Sequence, residues 1–235
     1  MGVTFLDPSG SQMGHKESVA DTARVLSRLY EGIEYRGFDQ SVVDELARYS
    51  DVPVWNGLTD ECHPTQALGD FMTIQEHFGE LRGLTLAFVG DTRNNVANSL
   101  MAMSAKMGVN FIACGPTELK PSDDIVAKCK PIAEKNGSTI TITSDIAELN
   151  GKADVIYTDV WLSLGEPQEK WGERIELLKP YQVNAELFKS IIREEIAKGK
   201  YLIMSSHQMA VIEAVIKKMA TSDMLKNYSS VLDAV

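Results

Sequence analysis

Several side chains suited to an anion stand just after short β-rich runs. Lys16 lies in a small, polar, glycine-containing loop after residues 3–6, and the same loop carries Gln12. Arg36 closes a run at 32–36 and is followed by Gly37. His63 and Gln66 flank the start of a helix, with Pro64 and Thr65 between them. A helix N-terminus offers unpaired N–H groups and the positive end of a dipole. Together with Lys16, Arg36, His63 and Gln66 it would form a basic island. Such donors suit a phosphate and also a polarised carbonyl. Each feature has a plainer use as well. The loop can be an ordinary turn, Arg36 a surface ion pair, and His63 a helix cap.

A second group lies further along. Gly90-Asp91-Thr92-Arg93-Asn94-Asn95 follows an apolar run at 84–89. A dinucleotide-binding fold would carry G-x-G-x-x-G there. A single glycine followed by bulky residues disfavours a nucleotide-dependent oxidoreductase. Asn95 fits either a helix cap or a donor to a ligand carboxylate. Asp159 ends the run 154–158 and is fit to receive an ammonium group. One half of the chain thus reads as ready for an anion, the other for a zwitterion with an extra amine.

The elements that must position these residues alternate between strand and helix. Strands are expected at 3–6, 32–36, 52–55, 84–89, 109–114, 138–143, 154–158 and 201–204. Helices are expected at 16–30, 40–48, 64–77, 95–107, 122–136, 145–149, 185–197 and 209–219. In the helix at 16–30, Ala20, Ala23, Val25, Leu26 and Leu29 should face inward. This alternation predicts an α/β fold of parallel sheets covered by helices. Ligands in such sheets bind beyond the carboxyl ends of the strands. The break at Glu80-Leu81-Arg82-Gly83 divides the chain, giving expected domains at 1–80 and 81–208, with a C-terminal helix and tail at 209–235.

Composition narrows the function. The 235 residues are 44% hydrophobic and 24% charged, as expected for a globular chain. Lys+Arg 23 against Asp+Glu 33 gives a net charge of −10, which opposes binding to nucleic acid or anionic membranes. No apolar run reaches the ~18–20 residues of a transmembrane helix. The first residues lack a secretory pattern and a myristoylation motif. Three widely spaced cysteines, Cys62, Cys114 and Cys129, fit a reducing, cytoplasmic setting and provide no zinc framework.

The motifs at these positions closely resemble those of the ornithine carbamoyltransferases. His63-Pro64-Thr65-Gln66 looks like the family's H-P-T-Q motif. The stretches at 9–18, 35–38 and 90–95 match as well. Asp159-Val160-Trp161-Leu162-Ser163-Leu164-Gly165 resembles the D-x-x-x-S-M-G loop of the ornithine branch, with Leu164 in place of Met. The likeness runs from about residue 3 to about residue 184.

This resemblance implies two parallel-sheet domains, a truncated carbamoyl-phosphate domain and a Rossmann-like ornithine domain. It places Gln12, Lys16, Arg36, His63, Pro64, Thr65 and Gln66 at carbamoyl phosphate, with Arg36 and His63 catalytic through polarisation of the carbonyl. It places Asn95, Asp159, Ser163 and Leu164 at L-ornithine. The reaction implied is attack of the neutral δ-amine on the carbamoyl carbon, giving L-citrulline and phosphate. No metal or organic cofactor is implied, and the expected assembly is a homotrimer.

Two family motifs are not found. There is no S-T-R-T-R phosphate loop, and Ser205-Ser206-His207-Gln208 stands where H-C-L-P is expected. The rival expectation is therefore a catalytically silent relative that binds an amino acid or assembles with a partner.

Overall fold

The computed structural model describes residues 2–7, 13, 16–161, 169, 171–191 and 202–205. The chain forms two compact units, residues 1–65 and 66–235.

In the first unit, β1 (Ile33–Arg36) and β2 (Val54–Leu58) pair in parallel, and α1 (Val19–Leu29) packs against α2 (Gln40–Tyr49). Ser18 caps α1, its hydroxyl accepting from the Asp21 amide at 3.1 Å. That cap is why the helix begins at Val19 rather than at Lys16. Asp39 caps α2 in the same way through the Ser41 amide. Two expectations fail here. Residues 3–6 form no strand, having no ladder partner among the described residues. On α1, Ala23 is buried, but Val25 and Leu29 are 58% and 67% exposed, because that face has no neighbour among the described residues.

The second unit is a five-stranded, all-parallel sheet in the order β5-β4-β3-β6-β7. Its strands are β3 (Thr85–Val89), β4 (Asn110–Cys114), β5 (Ile140–Thr143), β6 (Val155–Thr158) and β7 (Leu202–Ser205). The helices are α3 (Pro64–Phe78, whose first two residues belong to the first unit), α4 (Asn95–Met107), α5 (Asp123–Lys135), α6 (Trp171–Leu178) and α7 (Ala185–Ile191).

Alternating strand residues feed two cores. Leu86, Phe88, Phe111 and Tyr157 pack with Phe71 and Ile74 of α3 and Leu100 and Met101 of α4. On the other face, Ala87, Val89, Ile112 and Ile156 pack with Phe188 and Ile191 of α7. Every residue of β3 is buried, as a strand covered on both faces requires. The expected strands and helices between 32 and 158 recur with shifts of a few residues at their ends, the stretch 146–149 being a 3₁₀ turn. Helix α6 lies where no helix was expected. The expected helix at 209–219 and the end of the one at 185–197 fall outside the described residues.

Candidate functional site

In the first unit, Arg36 ends β1 at an irregularity in the pairing. Tyr35 faces Asn56 while Arg36 faces Leu58, so Gly57 is skipped. Such slips re-aim a side chain. Arg36 is exposed, and among the described residues no carboxylate pairs with it. The plain surface ion pair is therefore not seen. Lys16 is likewise exposed.

His63 follows β2 by way of a loop held at Thr59, which is fully buried. The Thr59 amide donates to the Cys62 carbonyl at 2.8 Å, and the Cys62 amide donates to Oγ1 of Thr59 at 3.1 Å. Oγ1 in turn donates to Oε1 of Gln40 on α2 at 2.7 Å. This clasp delivers His63, only 9% exposed, to the head of α3. Thr65 stands beside it, with Oγ1 3.4 Å from Nδ1 of His63 and 3.3 Å from the Gly57 carbonyl that it donates to. Thr65 thus braces the imidazole against β2. Thr59 and Gln40 went unnoticed in the sequence, since a buried threonine leaves no motif.

In the second unit the candidate site lies at the carboxyl edge of β3 and β6. The chain winds from β3 to β4 and β5 on one side, then crosses to β6 on the other side of β3. The topological switch point therefore lies between β3 and β6, where doubly wound sheets bind ligands. Asn95 opens α4 at one side of that crevice, and Asp159 follows β6 at the other. The cap of α4 is Asn94, not Asn95. Its Oδ1 accepts from the Val96 amide at 2.7 Å. Its Nδ2 donates to Oδ2 of the buried Asp159 at 3.0 Å. Asn95 is thereby released from the capping role and sits half-buried at the helix start.

Beside this pair, Asp91 is buried between two guanidinium groups. Arg93 grips it at 3.0 Å through Nε and 2.7 Å through Nη2. Arg174, buried on α6, stands 3.6 Å away. The loop after β3 can make this turn because Gly90 has φ 134°, and because a side chain at Gly115 would overlap the Gly90 carbonyl. Arg174 carried no signal, because the helix that bears it is short and follows a long polar stretch.

Gln66, in the first turn of α3, donates through Nε2 to Oδ1 of Asp70 at 2.9 Å. Asp70 is 5% exposed. Burial pushes its carboxyl above the ordinary carboxylate range. Hydrogen bonding from Gln66 works against that shift, and the Asp159 charge adds to it. The Tyr157 ring stacks on Phe88 at 5.7 Å.

The structure thus brings His63 to Thr65 in one unit, and in the other it brings the Asn94–Asn95 turn to Asp159 and Gln66 to Asp70. Gln12, Ser163 and Leu164 lie outside the described residues. Among the described residues, no group of three acidic, histidine or cysteine side chains could hold a metal ion. No described helix is long and apolar enough to cross a membrane.

This is a two-part α/β chain with a basic strand end in one unit and an acidic one at the switch point of the other. Residues 1–76 match the family model for the aspartate/ornithine carbamoyltransferase carbamoyl-P binding domain, and residues 82–197 match that for the Asp/Orn binding domain. The chain belongs to the aspartate/ornithine carbamoyltransferase family.

Among curated relatives it is 60% identical over 184 residues to the catabolic ornithine carbamoyltransferase of Treponema denticola, covering 78% of this chain and 54% of that one. It is 58% identical over 187 residues to the catabolic ornithine carbamoyltransferase of Mycoplasma capricolum subsp. capripneumoniae, covering 80% and 60%. Among solved structures, the ornithine carbamoyltransferase from Pyrococcus furiosus superposes with a TM-score of 0.78 at 38% identity, covering 86% of this chain and 62% of that one. The chain spans 54% to 60% of the length of the two curated relatives.

Proposed function

We propose that this chain transfers a carbamoyl group between carbamoyl phosphate and L-ornithine, giving L-citrulline and phosphate, as part of arginine metabolism. The observation that carries the reading is Asp159 at the switch point. It is buried and held by Asn94, beside the start of α4. A fixed carboxylate in a ligand crevice suits the ammonium of a basic amino acid. Asn95, at the start of α4, hydrogen-bonds the amino acid's carboxylate or amine in this reading.

The first unit supports the other substrate. Arg36 is an exposed guanidinium at a strand end, and His63 precedes the amino end of α3. In this reading Arg36 and His63 polarise the carbamoyl carbonyl and stabilise the oxyanion formed when the δ-amine attacks. Gln12, Lys16, Pro64, Thr65 and Gln66 line the carbamoyl phosphate, while Ser163 and Leu164 join Asn95 and Asp159 around ornithine. Phosphate leaves toward the basic side chains and the helix dipole. No metal or organic cofactor enters the scheme. Residues 1–80 then form the carbamoyl-phosphate domain, residues 81–208 the ornithine domain, and residues 209–235 a C-terminal helix and tail. We place the protein in the cytoplasm as a homotrimer, without nucleic-acid or membrane partners.

The test is citrulline formation from carbamoyl phosphate and ornithine by the folded chain, with phosphorolysis of citrulline followed in the reverse direction. Turnover in either direction that is lost in Asp159→Asn supports the reading. A folded chain that neither turns over nor binds either substrate overturns it.

A further inference from the structure

We propose that Asp70 is a positioning residue that holds the Gln66 amide nitrogen toward itself, leaving the Gln66 carbonyl oxygen to accept an N–H from the ligand. The ligand half of this inference rests on the carbamoyl-phosphate reading above; the orientation of the amide does not.

A glutamine amide can turn either way, and its two ends are told apart only by their neighbours. Here the neighbour decides. The end of Gln66 lying 2.9 Å from Oδ1 of Asp70 is the nitrogen, which an ionised carboxylate, able only to accept, holds in place. The two residues are one helical turn apart on the same side of α3. Asp70 lies on the buried side of α3 with Ala67, Phe71 and Ile74 and is itself 5% exposed, so solvent has little access to replace the bond. Asp70 is therefore held by its burial, and Gln66 inherits the constraint. The free carbonyl oxygen rewards a ligand that brings an N–H to that spot and penalises one that brings a methyl group. An asparagine at position 70 offers both a donor and an acceptor, so the Gln66 amide loses its preferred direction.

The test has a ligand-free arm and a ligand arm, both on the full chain. In the first, the Gln66 side-chain amide is followed by 1H–15N NMR, its signals assigned by their absence in Gln66→Glu. In the wild type we expect one downfield, slowly exchanging proton. This signature should be lost in Asp70→Asn and retained in Asp70→Glu, which keeps an acceptor. A wild-type amide that exchanges as fast as free glutamine overturns the proposal without recourse to any variant. So does a signature unchanged in folded Asp70→Asn. In the second arm, calorimetric titrations compare carbamoyl phosphate with acetyl phosphate, which has a methyl group in place of the amide. We expect about a tenfold preference for carbamoyl phosphate in the wild type, falling toward parity in Asp70→Asn. Equal wild-type affinities overturn the ligand half of the proposal. A protected Gln66 amide in a chain that binds neither compound upholds the role of Asp70 and overturns the functional reading instead.

Discussion

The side-chain amide of Asn94 joins the cap of α4 to the carboxylate of Asp159. Its oxygen accepts from the Val96 amide at 2.7 Å, and its nitrogen donates to Oδ2 of Asp159 at 3.0 Å. One residue thus ties the helix start after β3 to the strand end after β6, across the switch point of the sheet.

Asn94→Ala removes both bonds at once. Loss of a cap costs about 1 kcal/mol, and loss of a hydrogen bond to a charged group about 1.5–3 kcal/mol. Asn94→Asp keeps the cap but sets a like charge against Asp159. Urea denaturation should show both variants destabilised, with ornithine binding weakened in each. Wild-type ornithine affinity in a folded Asn94→Asp chain would contradict the role given to Asp159.

Arg36→Ala should separate binding from stability. The side chain is exposed and unpaired among the described residues, so the denaturation midpoint should hardly move. Loss of a charge-assisted contact is worth about 1.5–3 kcal/mol, or roughly a ten- to hundredfold loss in carbamoyl phosphate affinity. Titration calorimetry reads both the affinity and any residual binding.

Asp91 and its two arginines should rank by burial. Arg93→Ala removes a partner that is 42% exposed and should cost less than about 1 kcal/mol. Asp91→Asn leaves the buried Arg174 without its carboxylate and should cost about 3 kcal/mol or more. Equal destabilisation of the two variants in chemical melts would refute the ranking.

The pH dependence of stability should carry the mark of Asp70. Burial raises its carboxyl above the ordinary 3.8, so the folded chain holds that proton more tightly than the unfolded chain does. Stability then falls as pH rises from that ordinary value through the raised one, and the full cost is present above it. Asp70→Asn removes this contribution. The difference between variant and wild type should shift in the variant's favour as pH rises above the ordinary carboxylate range. A difference independent of pH would count against the burial argument.

Cys114 is fully buried, and burial pushes its thiol up to about 12, with the charges of Asp145 and Glu148 adding to the effect. Iodoacetamide near pH 8 should leave Cys114 and the buried Cys129 unmodified in the folded chain and label both after unfolding. Peptide mass spectrometry reads the two states.

Periodicity and motif spacing were enough to place the strand–helix alternation from 32 to 158, the parallel sheets, and Arg36, His63, Gln66, Asn95 and Asp159 at strand or helix ends. These properties are local. Buried strands are apolar throughout, caps and prolines mark where helices begin, and ligand groups cluster where strands stop. What the chain order left open was which strands become neighbours. Only the folded sheet sets β6 beside β3 and so joins Asn94 to Asp159 across 65 positions. Burial was equally illegible in advance. Nothing in their local spacing marks Asp70 as buried, Thr59 as the clasp behind His63, or Arg174 as a partner of Asp91. Conversely, Val25 and Leu29 have the period of a core face yet stand exposed, and residues 3–6 have the composition of a strand but no ladder partner among the described residues. A side chain's environment is made by elements distant in sequence, and composition and period carry no record of which elements those are.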